Sequence, residues 1–367
     1  MKNAKVKIIA SGGLIGLLAA LLVFKGNPAN MGVCVVCFYR DITGALGLHR
    51  ASVVQYIRPE ILGFVFGAFI IAKIKGEFKP TGGSSPIIRF IMAIFLVIGA
   101  LVFLGCPLRM ILRLAGGDLN ALVGLFGYVV GVIVGIQFLK KGFTLGRSTK
   151  QPEVAGYTMP AIALVLLIFL VIAPSFIFFS DKGPGAMAAP IALSLISGIV
   201  IGGALQRTRL CTAGGFRDAF LIKDFHFMWG LLGIFVFALI GNLIFNFDAM
   251  KVGFEGQPVA HNDHIWNFLG MTLTGLTAVL LGGCPLRQTI LAGEGNTDSV
   301  ITIFGFIIGA AFAHNFGLAA SPKGVPNNGK IAVIIGLVVV LVIATSVVYG
   351  VNKERKLKLN KGGVSNA

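Results

Sequence analysis

The chain has 367 residues, of which 56% are hydrophobic and only 12% are charged. Soluble domains carry about 25% charged residues, so this composition excludes a soluble globular enzyme or binding domain. The formal net charge of +17 comes from basic residues at the ends of apolar segments, not from one basic patch, which argues against nucleic acid as a partner.

Ten apolar segments follow one another along the chain, and most approach the roughly 17–25 residues that a spanning helix needs. No strand-like alternation appears, so the sequence predicts an all-α membrane protein with about ten transmembrane helices. The second segment is short, and the first, which lacks a small-residue cleavage site, is predicted to be retained. In chain order the segments are 8–24, 61–74, 87–104, 119–139, 159–179, 188–205, 227–247, 265–281, 300–316 and 331–349.

The distribution of basic residues predicts the orientation of the chain, because Lys and Arg are enriched in cytoplasmic loops. Basic residues fill the N-terminus, the loops 73–89 and 140–150, and the C-terminal tail. The segment 181–190 is nearly uncharged, and 248–264 is acidic and contains histidines. The pattern therefore predicts cytoplasmic N- and C-termini, with these two segments outside.

The chain contains an internal repeat. Residues 34–41 read CVVCFYRD and residues 211–218 read CTAGGFRD, while GCPLR occurs at 105–109 and again at 283–287. The register holds further on at two glycine pairs, Gly127 with Gly305 and Gly131 with Gly309. An odd number of crossings separates equivalent helices, so the sequence predicts two inverted four-helix repeats, an architecture common among secondary transporters.

The repeat predicts how the chain is divided. A first membrane repeat occupies 1–150, a linking transmembrane helix 151–187, a second membrane repeat 188–320, and a C-terminal transmembrane helix with a basic cytoplasmic tail 321–367. Four motif segments between the spanning helices are too short, polar and rich in Gly and Pro to span. They are interpreted as re-entrant or broken helices, with ordinary extramembrane loops as the alternative. These segments are 30–51, 106–118, 208–224 and 284–298.

All five cysteines lie in the motif segments and are predicted to line a path for a substrate: Cys34, Cys37, Cys106, Cys211 and Cys284. A lone buried cysteine usually packs as a small hydrophobic residue, but four of these recur at equivalent positions of the repeat. Proline follows the cysteine in both GCPLR motifs. Because proline is favoured at the first helical position, Cys106 and Cys284 are predicted to cap short helices, whose N-termini favour anions.

Six charged residues are predicted to support this path: Arg40, Asp41, Arg109, Arg217, Asp218 and Arg287. The repeated Arg–Asp pairs are expected either to neutralise each other or to contact the substrate, since unpaired charge in a bilayer is costly. Each GCPLR arginine follows its cysteine by one turn, where it holds an anion or neutralises a buried carboxylate. Four further residues are predicted at an outer mouth that concentrates an anion, namely His49, Arg50, Arg58 and Arg113.

The sequence contains C-x-x-C at Cys34–Cys37, which raises the alternatives of a dithiol–disulfide exchanger and of a soft-metal site. The repeat argues against both, because the position equivalent to Cys37 is Gly214. The other histidines show no ligand spacing with the cysteines, so no metal and no cofactor are expected. Without a Walker A motif, a dinucleotide fingerprint or a Ser-His-Asp candidate, the chain is predicted not to be an enzyme.

These motifs as a set resemble the YeeE/YedE family of bacterial inner-membrane proteins, also called the sulphur transport family. The resemblance covers about residues 7–349 and is carried by CVVCFYRDITGALGLHR, the two GCPLR segments and RLCTAGGFRD. It implies two pseudo-symmetric halves with broken helices meeting at a narrow centre. It also implies import of thiosulfate or a related compound along a line of thiols, in which Cys34, Cys106 and Cys284 match the relay positions and Cys211 follows by the repeat.

Residues 31–58 look most like the YedE branch, which is linked with selenium metabolism, so a selenium species is an alternative cargo. Cys37 departs from a single-cysteine first motif and leaves open which thiol makes first contact. The expected partners are the lipid bilayer, the small sulfur or selenium compound, and a cytoplasmic sulfur- or selenium-handling protein. The alternative function is a membrane thiol–disulfide oxidoreductase that uses Cys34 and Cys37.

Overall fold

The structure is a computed structural model that describes residues 2–362, so the last five residues of the predicted tail lie outside it. It is helical almost throughout. The helices are α1 (Lys2–Phe24), α2 (Val35–Ala45), α3 (Pro59–Ile74), α4 (Pro86–Val102), α5 (Pro107–Ala115), α6 (Asn120–Lys140), α7 (Glu153–Gly156), α8 (Thr158–Ile172), α9 (Ile191–Thr208), α10 (Thr212–Leu221), α11 (His226–Phe245), α12 (His264–Leu280), α13 (Pro285–Gly293), α14 (Thr297–Asn315) and α15 (Asn327–Gly362). A short 3₁₀ turn lies at Phe247–Ala249.

A helix occupies each of the ten predicted spanning positions, and the all-α membrane fold is confirmed. Within the described residues, eight helical segments are long and apolar enough to cross a membrane. The other two, α3 with 16 residues and α8 with 15, are shorter. The predicted span 159–179 was therefore too long. Helix α8 stops because Ala173 takes a left-handed conformation (φ 48°) and Pro174, which has no N–H, follows it.

Two of the spanning segments are broken helices, α4–α5 and α12–α13, and both break in the same way. Helix α4 ends with Leu104 at φ 61°, and the Gly105 N–H donates to the carbonyl of Ala100. Helix α12 ends with Gly282 at φ 82°, and the Gly283 N–H donates to Ala278. These are Schellman endings, which satisfy the last carbonyls of each helix before the chain continues at the GCPLR cysteine.

The connecting loops lie at two opposite ends of the helix bundle. At one end a two-residue strand, β1 (Thr81–Gly82), pairs antiparallel with β2 (Thr149–Lys150). We call this the basic end, because it consists of the lysine- and arginine-bearing loops 75–85 and 141–152. The opposite end consists of loops 25–33, 174–190 and 246–263, which are joined by side-chain hydrogen bonds. The two segments predicted to lie outside therefore share one end.

The two broken helices run in opposite directions. After α5, the carbonyl of Gly117 accepts from the Gly253 N–H at the opposite end. After α13, the carbonyl of Glu294 accepts from the Lys79 N–H at the basic end. This is the relation expected of inverted repeats. The domain boundaries, and which end faces the cytoplasm, remain predictions.

The helices pack in pairs that cross between the two halves, and each pairing occurs twice. Helix α1 packs against α11 as α9 packs against α3, and α6 packs against α12 as α14 packs against α4. Glycines permit this close approach. A Cβ atom added at Gly12, Gly67, Gly127 or Gly131 would overlap a backbone carbonyl of the partner helix. Small residues of this kind let helices pack in lipid, where no hydrophobic force drives association.

The C-terminal helix is longer than predicted. Its spanning part covers Asn327–Lys353, and its backbone continues as helix to Gly362 through most of the basic tail. No proline interrupts this stretch, and lysine, arginine and leucine are good helix formers. The tail residues Lys353 and Arg355 belong to this helix, whereas the side chains of Lys356, Lys358 and Lys361 lie outside the described part.

Candidate functional site

The repeated cysteines come together as two thiol pairs, one from each half of the chain. The Cys34 and Cys106 sulfurs lie 3.7 Å apart, and the Cys211 and Cys284 sulfurs lie 3.6 Å apart. All four cysteines are buried and all remain free thiols. In each half, the fold therefore brings the cysteine of the first motif into contact with the cysteine of the GCPLR motif. The sequence did not predict these pairings.

Each cysteine of the two pairs is the N-cap of a short helix: Cys34 of α2, Cys106 of α5, Cys211 of α10 and Cys284 of α13. Proline occupies the first turn of α5 and α13, as GCPLR predicts. In the second half, the Cys211 sulfur also accepts from the N–H groups of Gly214 and Cys284, at 3.4 Å each. At each pair, two thiols thus lie at the positive ends of two short helices, an arrangement that favours an anion.

The short helices meet across the halves, and α2, α5 and α13 are largely buried, which favours broken helices over surface loops. Every residue of α2 is buried, as are nearly all those of α5. Helix α2 packs against α13, where the Tyr39 and Thr289 hydroxyls lie 3.0 Å apart, and α5 packs against α10. The predicted convergence of broken helices is therefore present.

Cys37, the fifth cysteine, forms neither of these two thiol contacts. Its sulfur accepts a hydrogen bond from Nη1 of Arg109 at 3.5 Å. Arg109 is fully buried and also donates to the carbonyls of Asn30 (2.8 Å), Val259 (3.0 Å) and Leu104. With these partners, Arg109 ties the re-entrant loop and an outer loop to the break in α4–α5.

Of the two roles expected for the repeated Arg–Asp pairs, the structure shows mutual neutralisation. Asp41 accepts from Arg40 (2.6 Å) and from Arg58 (2.7 Å), and all three are buried. Arg217 pairs with Asp218 at 2.8 Å in a more exposed setting. Arg287 neutralises the carboxylate of Glu294 at 3.0 Å. These arginines therefore form ion pairs within the motif segments or with residues next to them, and so stabilise the broken helices.

The sequence predicted an open, positively charged mouth formed by four residues, and the structure does not show it. These residues are His49, Arg50, Arg58 and Arg113. Arg58 and Arg113 are fully buried, and Arg113 pairs with Asp118 at 2.6 Å. His49 is buried too, and its Nε2 lies 3.0 Å from the Arg40 carbonyl. Only Arg50 is exposed, over the ring of Phe178. The expectation was wrong for the other three, because their side chains are buried and bond to carboxylates and carbonyls inside the protein.

One residue beside the thiols was missed by the sequence reasoning. Tyr128 of α6 is fully buried, and α6 packs against α5 and α10, the helices that Cys106 and Cys211 cap. The signal that would have found it is the repeat register, which aligns Tyr128 with Phe306. Across residues 2–362, no group of three or more His, Cys, Asp and Glu side chains is placed to hold a metal ion.

The fold and the site define a multi-pass helical membrane protein with buried thiol pairs at the ends of broken helices. Residues 207–362 match the family model described as sulphur transport. This match, together with two curated relatives, supports the resemblance to the YeeE/YedE family that the motifs carry.

Two curated relatives are named thiosulfate transporter TsuA. The Escherichia coli (strain K12) protein is 29% identical over 189 residues, which cover 47% of this chain and 51% of the relative. The Spirochaeta thermophila protein is 32% identical over 116 residues, which cover 32% of this chain and 34% of the relative. The chain thus matches about half the length of one relative and a third of the other. Both are named as transporters, in agreement with the prediction of a non-enzymatic protein.

Proposed function

We propose that this protein imports a small sulfur-containing anion of the thiosulfate type across the bacterial inner membrane through its cysteine-lined centre. The observation that carries the proposal is the two thiol contacts, 3.7 and 3.6 Å, formed by buried cysteines at the N-caps of four short helices. The family match and the names of the two relatives support the same class of cargo. A selenium species, expected from the resemblance of residues 31–58, is the alternative cargo.

The chemistry of the centre suits such a cargo. A small anion is costly to dehydrate, so a route through the bilayer has to replace water with other hydrogen-bond donors. Thiols are weak and polarizable donors, which suits a soft sulfur or selenium atom. Two successive sites of weak contacts also let the ion leave, as conduction requires. The helix N-termini supply partial positive charge at the same place.

The alternative of a thiol–disulfide oxidoreductase is less well supported. Exchange with a partner protein requires an accessible thiolate, whereas Cys34 and Cys37 are both fully buried. The Cys34 sulfur contacts that of Cys106, and the Cys37 sulfur accepts a hydrogen bond from Arg109. The geometry therefore favours thiols that contact a passing ion over thiols that exchange with a protein.

Uptake into proteoliposomes tests the proposal, with labelled thiosulfate and labelled selenite as separate substrates. We expect saturable thiosulfate uptake by the wild type and its loss in Cys106→Ala and Cys284→Ala. Cys284→Ser is the matched control, because it keeps the size and a donor but removes the soft sulfur. Uptake that persists in both alanine variants would contradict the thiol path, and saturable selenite uptake alone would reassign the cargo.

A further inference from the structure

The hydroxyl of Tyr128 has no hydrogen-bond partner among the described residues, although the side chain is fully buried. A buried hydroxyl without a partner destabilises a protein, and the large majority of buried polar groups in proteins are paired. Such a group in the middle of a membrane protein calls for a partner that the folded chain does not supply.

Tyr128 lies beside both thiol pairs. Its helix, α6, packs against α5 and α10, which are capped by Cys106 and Cys211. Its ring packs edge-to-face on Phe216 of α10, with centroids 5.8 Å apart. Tyr128 thus touches the helix that begins at Cys211 of the second pair, while α6 also packs against the helix that begins at Cys106 of the first pair. The unpaired hydroxyl is thus placed where the two halves of the predicted path meet.

The internal repeat shows that packing alone does not require this hydroxyl. The position equivalent to Tyr128 is Phe306, and the position equivalent to Phe216 is Tyr39. Phe306 is just as buried and packs against Tyr39 with centroids 5.9 Å apart. Two equivalent tyrosine–phenylalanine contacts therefore join the halves, and the hydroxyl is on opposite members of the two equivalent pairs. The Tyr39 hydroxyl is paired with Thr289, whereas that of Tyr128 is not.

We propose that the Tyr128 hydroxyl donates a hydrogen bond to an oxygen of the transported oxyanion as it passes between the two thiol pairs. This inference rests on the proposed function. A thiosulfate-type anion has a soft sulfur, which suits the thiols, and hard oxygens, for which a phenol is a better donor than a thiol. The transported ion would supply the partner that the folded chain withholds from Tyr128.

Tyr128→Phe tests the inference, because it removes only the unpaired hydroxyl. We expect the rate of thiosulfate uptake into proteoliposomes at low substrate concentration to fall about tenfold or more. This is the effect of losing one hydrogen bond to a charged group. The thermal unfolding temperature should stay unchanged or rise, since no hydrogen bond within the protein is lost. A purely structural tyrosine would give the opposite combination.

Tyr39→Phe is the matched control, because it removes the equivalent hydroxyl where that group is paired within the protein. It should lower the unfolding temperature by leaving Thr289 without this partner, while uptake per folded protein stays near the wild-type value. Wild-type uptake by Tyr128→Phe would overturn the inference and leave the proposed function standing. A loss of uptake that merely parallels a loss of stability would overturn it too. Absence of uptake by the wild-type protein would instead remove the proposed function, and this inference with it.

Discussion

At the scale of single residues, Asp41 has the strongest predicted effect on stability. It is fully buried and neutralises two buried guanidinium groups, those of Arg40 and Arg58. Asp41→Asn would leave both charges without a counter-ion inside the protein, which typically costs about 3–5 kcal/mol. We expect a large fall in unfolding temperature and in the yield of monodisperse protein in detergent, measured by thermal unfolding and size-exclusion chromatography.

The repeat provides the control for this substitution in Asp218→Asn. Asp218 pairs with a single arginine, Arg217, whose side chain is 30% exposed. Solvent screens such a pair, so its loss should cost about 1 kcal/mol or less. Equal destabilisation by the two substitutions would show that burial does not set the importance of these charges.

Sequence reasoning reached the residues of the site better than it reached their partners. The repeat identified Cys34, Cys106, Cys211 and Cys284, because recurrence is visible in the letters alone. It did not show which thiols pair, since each contact joins positions more than 70 residues apart. The partners of Arg109 are mostly backbone carbonyls, which every residue carries and no motif marks.

At the scale of the helices, glycine contacts control the packing between the halves. Gly127 of α6 lies against the Phe268 carbonyl of α12, and an added methyl group would overlap that oxygen. Because the methyl group would be attached to the backbone of α6 and would overlap the backbone of α12, no side chain can move to make room. The two helices would have to move apart. Gly127→Ala should therefore destabilise the protein by about 1–3 kcal/mol, the usual cost of overpacking, measured as a lower unfolding temperature.

Gly350→Ala is the matched control at this scale. Gly350 lies in α15 and is exposed, and no atom lies within 4 Å of an added Cβ. There the change should be neutral or stabilising by up to about 1 kcal/mol, because alanine loses less conformational entropy in a helix. If both substitutions behaved alike, close packing of α6 on α12 would not be what holds these helices together.

Helix positions were easier to predict than helix ends. Ten apolar runs marked ten helices, since hydrocarbon thickness imposes their length. The end of α8 depends on the left-handed Ala173, and the break of α4 depends on the left-handed Leu104, although alanine and leucine rarely adopt that conformation. Gly282, at the position equivalent to Leu104, is the residue from which such an ending is normally recognised.

At the scale of the whole molecule, the two halves are not separate bodies. The main helix pairings cross from one half to the other, and the short helices meet across the same boundary. A site built in this way requires both halves. The thiol pairs are each formed within one half, while Tyr128 of the first half packs against Phe216 of the second. The repeat therefore places two similar sites in succession.

The orientation of the molecule is predicted from its basic end. Lys141 and Lys182 are both exposed and lie at opposite ends, in loops 141–152 and 174–190. Because basic loops stay in the cytoplasm, a cysteine at Lys182 should react with a membrane-impermeant maleimide in right-side-out vesicles. A cysteine at Lys141 should react only after permeabilisation. The wild-type chain serves as the background, since its five cysteines are all buried and at most 6% exposed. Labelling of Lys141→Cys alone would reverse the orientation, and labelling of both in sealed vesicles would contradict the placement of these loops at opposite ends.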